Sequence, residues 1–149
     1  MKVGDICNRL VIEITEDESI RRAAELMRKY HVGTLVVTRF GDAVKTPVGI
    51  ITDRDIVVEV TAQGVDPEEI TVGDVMSDGP VMAAEDDEIY AVLDLMREKS
   101  VRRIPVVDAK GGLTGMLALD DLLQIYTEGL RSLADIVGGQ RRRETKLRA

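Results

Sequence analysis

The chain is poor in sulfur chemistry, in aromatic rings and in long apolar runs. One cysteine, Cys7, among 149 residues excludes an internal disulfide and any cysteine-clustered metal site. It reads as a small buried hydrophobe. The single histidine, His31, falls at a predicted helix end and reads as a capping or surface residue. There is no nucleophile–base set, no glycine loop closing on Lys-Ser or Lys-Thr, and no metal-ligand cluster. These gaps argue against an enzyme, a required cofactor and a resident metal. No apolar run approaches the roughly 20 residues of a membrane span. The start Met1-Lys2-Val3-Gly4-Asp5 lacks the basic and apolar regions of a signal peptide, so the expected location is the cytoplasm and no membrane is involved.

What is present is charge and repetition. Charged residues make up 32% and hydrophobic residues 44%, and the formal net charge is −7. The balance is uneven: from Gln140 onward, Arg141, Arg142, Arg143, Lys146 and Arg148 oppose only Glu144. An acidic body argues against nucleic acid as a partner. The basic tail can touch an anionic partner, but it is expected to be a frayed, solvated terminus.

The repeat organises the rest. Val3-Gly4-Asp5-Ile6 returns as Val72-Gly73-Asp74-Val75, and Leu26-Met27-Arg28 returns as Leu95-Met96-Arg97, each 69 residues later. Gly49-Ile50-Ile51-Thr52-Asp53-Arg54-Asp55 returns as Gly115-Met116-Leu117-Ala118-Leu119-Asp120-Asp121, 66 residues on. The first copy reads as a short strand Leu10 to Ile14, then a helix Ser19 to Tyr30 started by Thr15 to Glu18 and stopped by Gly33. Ile20, Ala23, Ala24 and Met27 supply its buried face. Strands Thr34 to Thr38 and Pro47 to Ile51 and a helix from Asp53 to Ala62 complete the unit. The second copy repeats this as strand Pro80 to Met82, helix Glu88 to Lys99, strands Ile104 to Val107 and Leu113 to Leu117, and a last helix from Asp120. That helix carries Leu122, Leu123, Ile125, Tyr126, Leu130, Leu133, Ile136 and Val137 before Gly138-Gly139. Its extra apolar residues need a cover, which predicts a homodimer. The predicted organisation is unit 1 over 1–62, a linker over 63–70, unit 2 over 71–127, and a helical extension and tail over 128–149. The fold class is α+β, two β-α-β-β-α units packed sheet to sheet as a pseudo-two-fold pair. Neither unit alone is large enough to bury a sufficient core.

In order and duplication, Val3-Gly4-Asp5-Ile6, Val72-Gly73-Asp74-Val75-Met76, Gly49 to Ile56 and Val101-Arg102-Arg103-Ile104-Pro105-Val106-Val107-Asp108 resemble the CBS domain, named for cystathionine β-synthase. The tandem arrangement resembles a Bateman module of the stand-alone type. The resemblance implies a regulatory protein that binds an adenosine compound (AMP, ADP, ATP, NAD or S-adenosylmethionine) between its units. It implies signalling by conformation or assembly, with a further protein as target. It also implies that Thr52 and Asp55 match the family's phosphate and ribose motif. The rival reading is a ligand-independent dimerisation or partner-docking module.

The chemistry of Gly49 to Asp55 fits both readings. A carboxylate at Asp55 can accept from two ribose hydroxyls, and Thr52 with the helix start at Asp53-Arg54 can hold a phosphate. Thr-x-x-Asp ahead of an apolar run is equally a variant capping box. In the second copy Asp121 remains but Ala118 lacks the hydroxyl, so a weaker ribose site is expected there. Arg102 and Arg103 precede a strand, where alternation sends neighbours to opposite faces, so one of the two is expected to face the cleft. The resemblance implies that this arginine lies at the phosphate end of the site holding Asp55. Adenine is expected against backbone and apolar side chains near Ile12 to Thr15, with Ile14 and Thr15 the candidates. At 3% aromatic content, ring stacking is not expected.

Overall fold

The structure is a computed structural model that describes residues 1–148. It divides into two compact units, Met1 to Leu117 and the segment from Ala118 onward. The first begins with a one-turn helix, α1 (Val3–Ile6), followed by strand β1 (Glu13–Ile14), helix α2 (Ile20–Tyr30) and the hairpin β2 (Thr34–Phe40) and β3 (Lys45–Thr52). Then come α3 (Asp53–Asp55), which runs into a π-helical stretch over Ile56–Thr61, a second one-turn helix α4 (Val72–Val75), and strands β4 (Ser77–Asp78) and β5 (Ala83–Ala84). Helix α5 (Ile89–Lys99) and strands β6 (Arg103–Val107) and β7 (Leu113–Ala118) follow, and α6 (Leu119–Arg148) ends the described chain. The class is α+β, and the helices accompany two sheets, ordered β1-β2-β3-β4 and β5-β6-β7.

The helices form where the apolar spacing places them. Ile20, Ala23 and Met27 of α2 are buried, as are Ile89, Val92 and Met96 of α5. Their ends differ from the expectation. Ser19, not the Thr15–Glu18 stretch, caps α2, its hydroxyl accepting the Arg22 N–H at 3.1 Å. His31, not Gly33, ends it in a left-handed conformation with φ 54°, and Ser100 does the same for α5. There the N–H groups of His31 and Val32 both turn back to the Met27 carbonyl, which satisfies the helix end without glycine. Gly33 instead allows a close approach, since a Cβ there would lie 2.9 Å from the Asp53 carboxylate. The strand expected over Leu10 to Ile14 is shorter, Glu13–Ile14, and the one expected over Pro80 to Met82 lies at Ala83–Ala84. Both short strands pair in parallel with the strand after their helix.

The two copies exchange their leading segments. The N–H groups of Val3 and Gly4 donate to the carbonyls of Asp87 and Glu85, at the start of the second copy's helix. Val72 and Gly73 donate in the same way to Glu18 and Glu16 in the first copy. Beyond each one-turn helix the chain crosses onto the other copy's sheet. Ser77 and Asp78 pair antiparallel with Ile50 and Gly49, and Asn8 bridges Met116 with both hydrogen bonds at 2.9 Å. The repeated glycines make room for this crossing. A Cβ on Gly49 would meet Met76 Sδ at 2.5 Å and the Ser77 carbonyl at 2.9 Å; one on Gly115 would meet Cys7 Sγ at 2.7 Å and the Asn8 carbonyl at 3.0 Å. Cys7 is thus a half-buried packing residue beside glycine, not a fully buried one.

In the second unit, α6 is a single helix of 30 residues. It continues through Gly138-Gly139 and the basic segment to Arg148, so the frayed tail expected from composition is helical; Ala149 lies outside the described residues. The cations stand at the helix C-terminus, where the dipole favours them. The Thr145 hydroxyl donates to the Arg141 carbonyl, and Gln140 pairs with Glu144. No helix is long and apolar enough to cross a membrane among the described residues.

Candidate functional site

A cavity of about 620 Å³ lies within the first unit, and three separate stretches wall it. The first copy contributes Thr34 at the start of β2, Ile50 and Thr52 at the end of β3, and Arg54. The crossing segment Ser77 to Val81 forms a second wall, and Ser100 to Arg103, between α5 and β6, a third. The size is within the range of small-molecule sites. Ile50 and Ser77 are paired across the β3–β4 ladder, so the crossing that Gly49 permits also builds the cavity wall.

Thr52 is the N-cap of α3, and its hydroxyl accepts the Asp55 N–H at 3.1 Å. The Asp55 carboxylate answers through Oδ2, which accepts the Thr52 N–H at 2.9 Å. Asp55 is half-buried and is not among the residues that wall the cavity, and its Oδ1 lies outside this pair. The same reciprocal box holds Thr71 and Asp74 at the start of α4, where no wall of this cavity is formed. A capping box is thus not by itself a ligand site. What distinguishes Thr52 is that it lines the cavity, and a hydroxyl can donate its proton while accepting from the Asp55 N–H.

Arg54, Arg102 and Arg103 all reach the cavity, against one carboxylate on its wall, Asp78. Both adjacent arginines line it, although strand alternation led to the expectation of one. Strand β6 begins at Arg103, so Arg102 lies ahead of it and strand alternation does not bind the pair. Among the sequence candidates, the structure brings Thr52, Arg54, Arg102 and Arg103 together. It does not bring Ile14 or Thr15 to them. Ile14 is a core residue, 5% exposed, and the Thr15 hydroxyl donates to Asp17 at 2.6 Å. Both line a separate cavity of about 280 Å³ with Glu13, Arg22 and Lys45. The reason is the exchange of leading segments: the stretch facing Thr52 comes from the second copy, Ser77 to Val81, not from the first copy's own strand. Ser77 to Val81, Thr34 and Ile50 are the wall residues that sequence reasoning missed. The repeat held a signal, since Ser77 to Val81 is the counterpart of Asn8 to Ile12, but nothing local says that the copies cross over. Asp121 lies in the first turn of α6, in the second unit, and is not part of this cavity.

Several charges hold the leading segments in place. The Arg9 guanidinium bonds Glu85, and Lys2 bonds Glu88 at 2.8 Å. The Arg9 hydrogen bond, helped by Thr114, draws the Glu85 carboxyl below its ordinary value; Lys2 and then the N-terminal ammonium do the same for Glu88. Burial pushes the Cys7 thiol up, which keeps it protonated and unreactive. Among the described residues, no group of three or more His, Cys, Asp or Glu side chains is arranged to hold a metal ion.

Known proteins share both the sequence pattern and the fold. The family model for the CBS domain matches twice, at residues 3–61 and 72–128. An uncharacterized protein of Methanopyrus kandleri, MK0525, is 36% identical over 125 residues, which is 84% of this chain but 62% of that protein, so the chain spans about three-fifths of its length. Hypoxic response protein 1 of Mycobacterium tuberculosis is 33% identical over 124 residues, 83% of this chain and 84% of the relative. A crystal structure of Hypoxic Response Protein I with two coordinated zinc ions superposes with a TM-score of 0.71 at 31% identity, covering 83% of this chain and 98% of that one. The CBS domain pair of protein MJ0100, in complex with 5-methylthioadenosine and S-adenosyl-L-methionine, superposes with a TM-score of 0.74 at 25% identity, over 87% of this chain and 98% of that one. The two matched segments coincide with the two copies that exchange their leading segments here, and the chain belongs to the CBS-domain family as a tandem pair.

Proposed function

We propose that this chain is a regulatory module that takes an adenosine compound into the cavity between Thr52, Ser77 to Val81 and Arg102-Arg103, and that it signals by a change of conformation or assembly. The observation that carries this reading is the composition of that wall: a capped helix start at Thr52, and three arginines against one carboxylate. The phosphate of AMP, ADP or ATP would lie against Thr52, Arg54 and the adjacent arginines, where charge-assisted bonds are the strong kind. Asp55 would reach the ribose through Oδ1, the oxygen its capping bond leaves over. Adenine would lie along Ser77 to Val81, held by backbone groups and the apolar faces of Pro80 and Val81. The MJ0100 complexes support the ligand class, since both of their ligands carry adenosine. The cation-rich wall favours anionic nucleotides, including NAD, over the sulfonium of S-adenosylmethionine. No reaction is assigned to the site. Acting as a cytoplasmic homodimer with a separate protein target would complete the reading.

A thermal melt with AMP, ADP, ATP, NAD and S-adenosylmethionine at about 1 mM tests it. A ligand present at about 100 times its dissociation constant adds roughly 2.7 kcal/mol, which moves the midpoint of a domain this size by several degrees. The shift should be largest for a phosphorylated adenosine and lost in Asp55→Ala. The closed Thr52–Asp55 box favours one rival, a ligand-independent docking module in which these residues only cap α3. No shift with any of the five, and no small molecule released on denaturing the purified protein, would establish the rival instead.

A further inference from the structure

The α6 helix carries apolar side chains in a pattern that no single helix can bury. Leu123, Tyr126, Leu130, Leu133 and Val137 follow one another at alternating steps of three and four, the seam of a two-stranded coiled coil. All five are open to solvent, from 38% for Tyr126 to 67% for Leu130. Leu147 returns to the same seam after Gln140 and Glu144, and it is 77% exposed. The helix is also intrinsically weak. Gly129, Gly138 and Gly139 lie in its interior, and glycine costs helix stability relative to alanine. A long helix with three interior glycines relies on packing of its apolar face.

Charge identifies the occupant of that face. From Leu119 to Asp135 the helix has four carboxylates, Asp120, Asp121, Glu128 and Asp135, against Arg131. From Ile136 to Arg148 it has five cations against Glu144. Two such helices side by side in the same direction would stack the Arg141-Arg142-Arg143 clusters on each other. Run in opposite directions, each acidic half lies along a basic half. The apolar seam agrees with the antiparallel arrangement: a register that sets Leu130 against Leu133 of the second copy also sets Tyr126 against its Val137 and Leu123 against its Gln140. That register brings Asp120 and Asp121 level with Arg143 and Arg142 of the second copy. We infer that α6 is an antiparallel coiled-coil element, and that its occupant is the α6 of a second copy of this chain, held by the Leu123-to-Val137 seam and by the opposed charge of its two halves.

The inference deepens the homodimer part of the proposed function and does not depend on which ligand binds. Cysteine cross-linking in a Cys7→Ser background tests it with the full chain. A mixture of Leu123→Cys chains and Gln140→Cys chains should form a disulfide-linked pair on mild oxidation, while Leu147→Cys chains alone should not. Cross-linking of Leu147→Cys chains with one another means a parallel pair and overturns the inference. Sedimentation of the unmodified chain gives a second reading. The dimer should dissociate at least tenfold more readily at 500 mM than at 50 mM NaCl, and Leu130→Glu with Leu133→Glu should leave a folded monomer with an unchanged nucleotide shift in the melt. A dimer that survives that double substitution assembles through another face, and a monomeric wild type means that no second copy occupies the seam. Either outcome overturns the α6 inference and leaves the ligand reading standing.

Discussion

Thr52 and Asp55 close on each other: the Thr52 hydroxyl accepts the Asp55 N–H at 3.1 Å, and Asp55 Oδ2 accepts the Thr52 N–H at 2.9 Å. The pair caps α3, and only Thr52 of the two lines the cavity, so substitutions can separate the capping role from the proposed ligand role. Asp55→Asn keeps an oxygen for the Thr52 N–H but removes the charge. Its urea midpoint should stay near that of the wild type, while nucleotide affinity falls about tenfold, the difference between a charged and a neutral hydrogen bond. Thr71→Ala provides the contrast, because Thr71 and Asp74 form the same box away from the cavity. It should lose about 1 kcal/mol of stability and no affinity. Equal loss of affinity in both variants, measured by titration calorimetry, would reduce Asp55 to a cap.

Arg102 and Arg103 should read the phosphate and nothing else of the ligand. Each replacement by alanine should weaken AMP by about tenfold, the scale of one charge-assisted bond, and leave unphosphorylated adenosine unchanged. The AMP affinity should also fall with salt, since both side chains are largely solvent-exposed and screened. Titrations with AMP and adenosine at low and high NaCl check this. If adenosine weakened as much as AMP, the arginines would be shaping the cavity wall rather than holding an anion.

Local chemistry and repetition make much of this structure readable in the sequence. The spacing of Ile20, Ala23 and Met27, and of Ile89, Val92 and Met96, marks two buried helix faces, because burial of a helix stripe follows from its own sequence. Thr52 and Asp55 are readable as a cap for the same reason. The crossing of Ser77 and Asp78 onto β3 is not, because a two-residue pairing across distant chain segments leaves no periodic trace. Sequence alone therefore looks for adenine contacts at Ile14 and Thr15, whereas the cavity that Thr52 lines is walled by Ser77 to Val81. The end of α6 is hidden because Gly138-Gly139 is a local stop signal. Here that signal is outweighed by the helix-favouring arginines beyond it and by their position at the C-terminal dipole.

Gly49 and Gly115 should be the least replaceable glycines. Alanine at Gly49 places a Cβ 2.9 Å from the Ser77 carbonyl, and at Gly115 3.0 Å from the Asn8 carbonyl, so backbone must move in both. Each should cost about 1–3 kcal/mol in urea unfolding, the scale of overpacking. Only Gly49→Ala should also weaken the nucleotide, because only Ser77 belongs to the cavity wall. Gly139→Ala should go the other way. No atom lies within 4 Å of its Cβ position, and the helix should gain roughly 0.5–1 kcal/mol. A loss of stability in Gly139→Ala would mean that another chain already packs closely there.

Acid should loosen the leading segment. Glu85 is drawn below its ordinary value of 4.5 chiefly by the Arg9 hydrogen bond, and Glu88 chiefly by that of Lys2. A carboxylate whose folded value lies below its unfolded one contributes stability that is fully present above the unfolded value. That contribution fades as pH falls through 4.5 and on through the lower folded values. Lys2 and Arg9 are both shifted upward by their carboxylate partners, so neither titrates in this window. Glu88 is exposed and Glu85 partly so, which keeps the effect modest and sensitive to salt. Asp17 and Asp74 are lowered as well and add a background of the same sign. The double variant Glu85→Gln with Glu88→Gln should therefore be less stable than wild type at pH 7. The gap should narrow as pH falls below about 4.5, because the wild type then loses what the variant already lacks. Urea midpoints of both proteins between pH 7 and pH 3 check this, and a gap that stays constant across the range would show that these pairs do not hold the leading segment through charge.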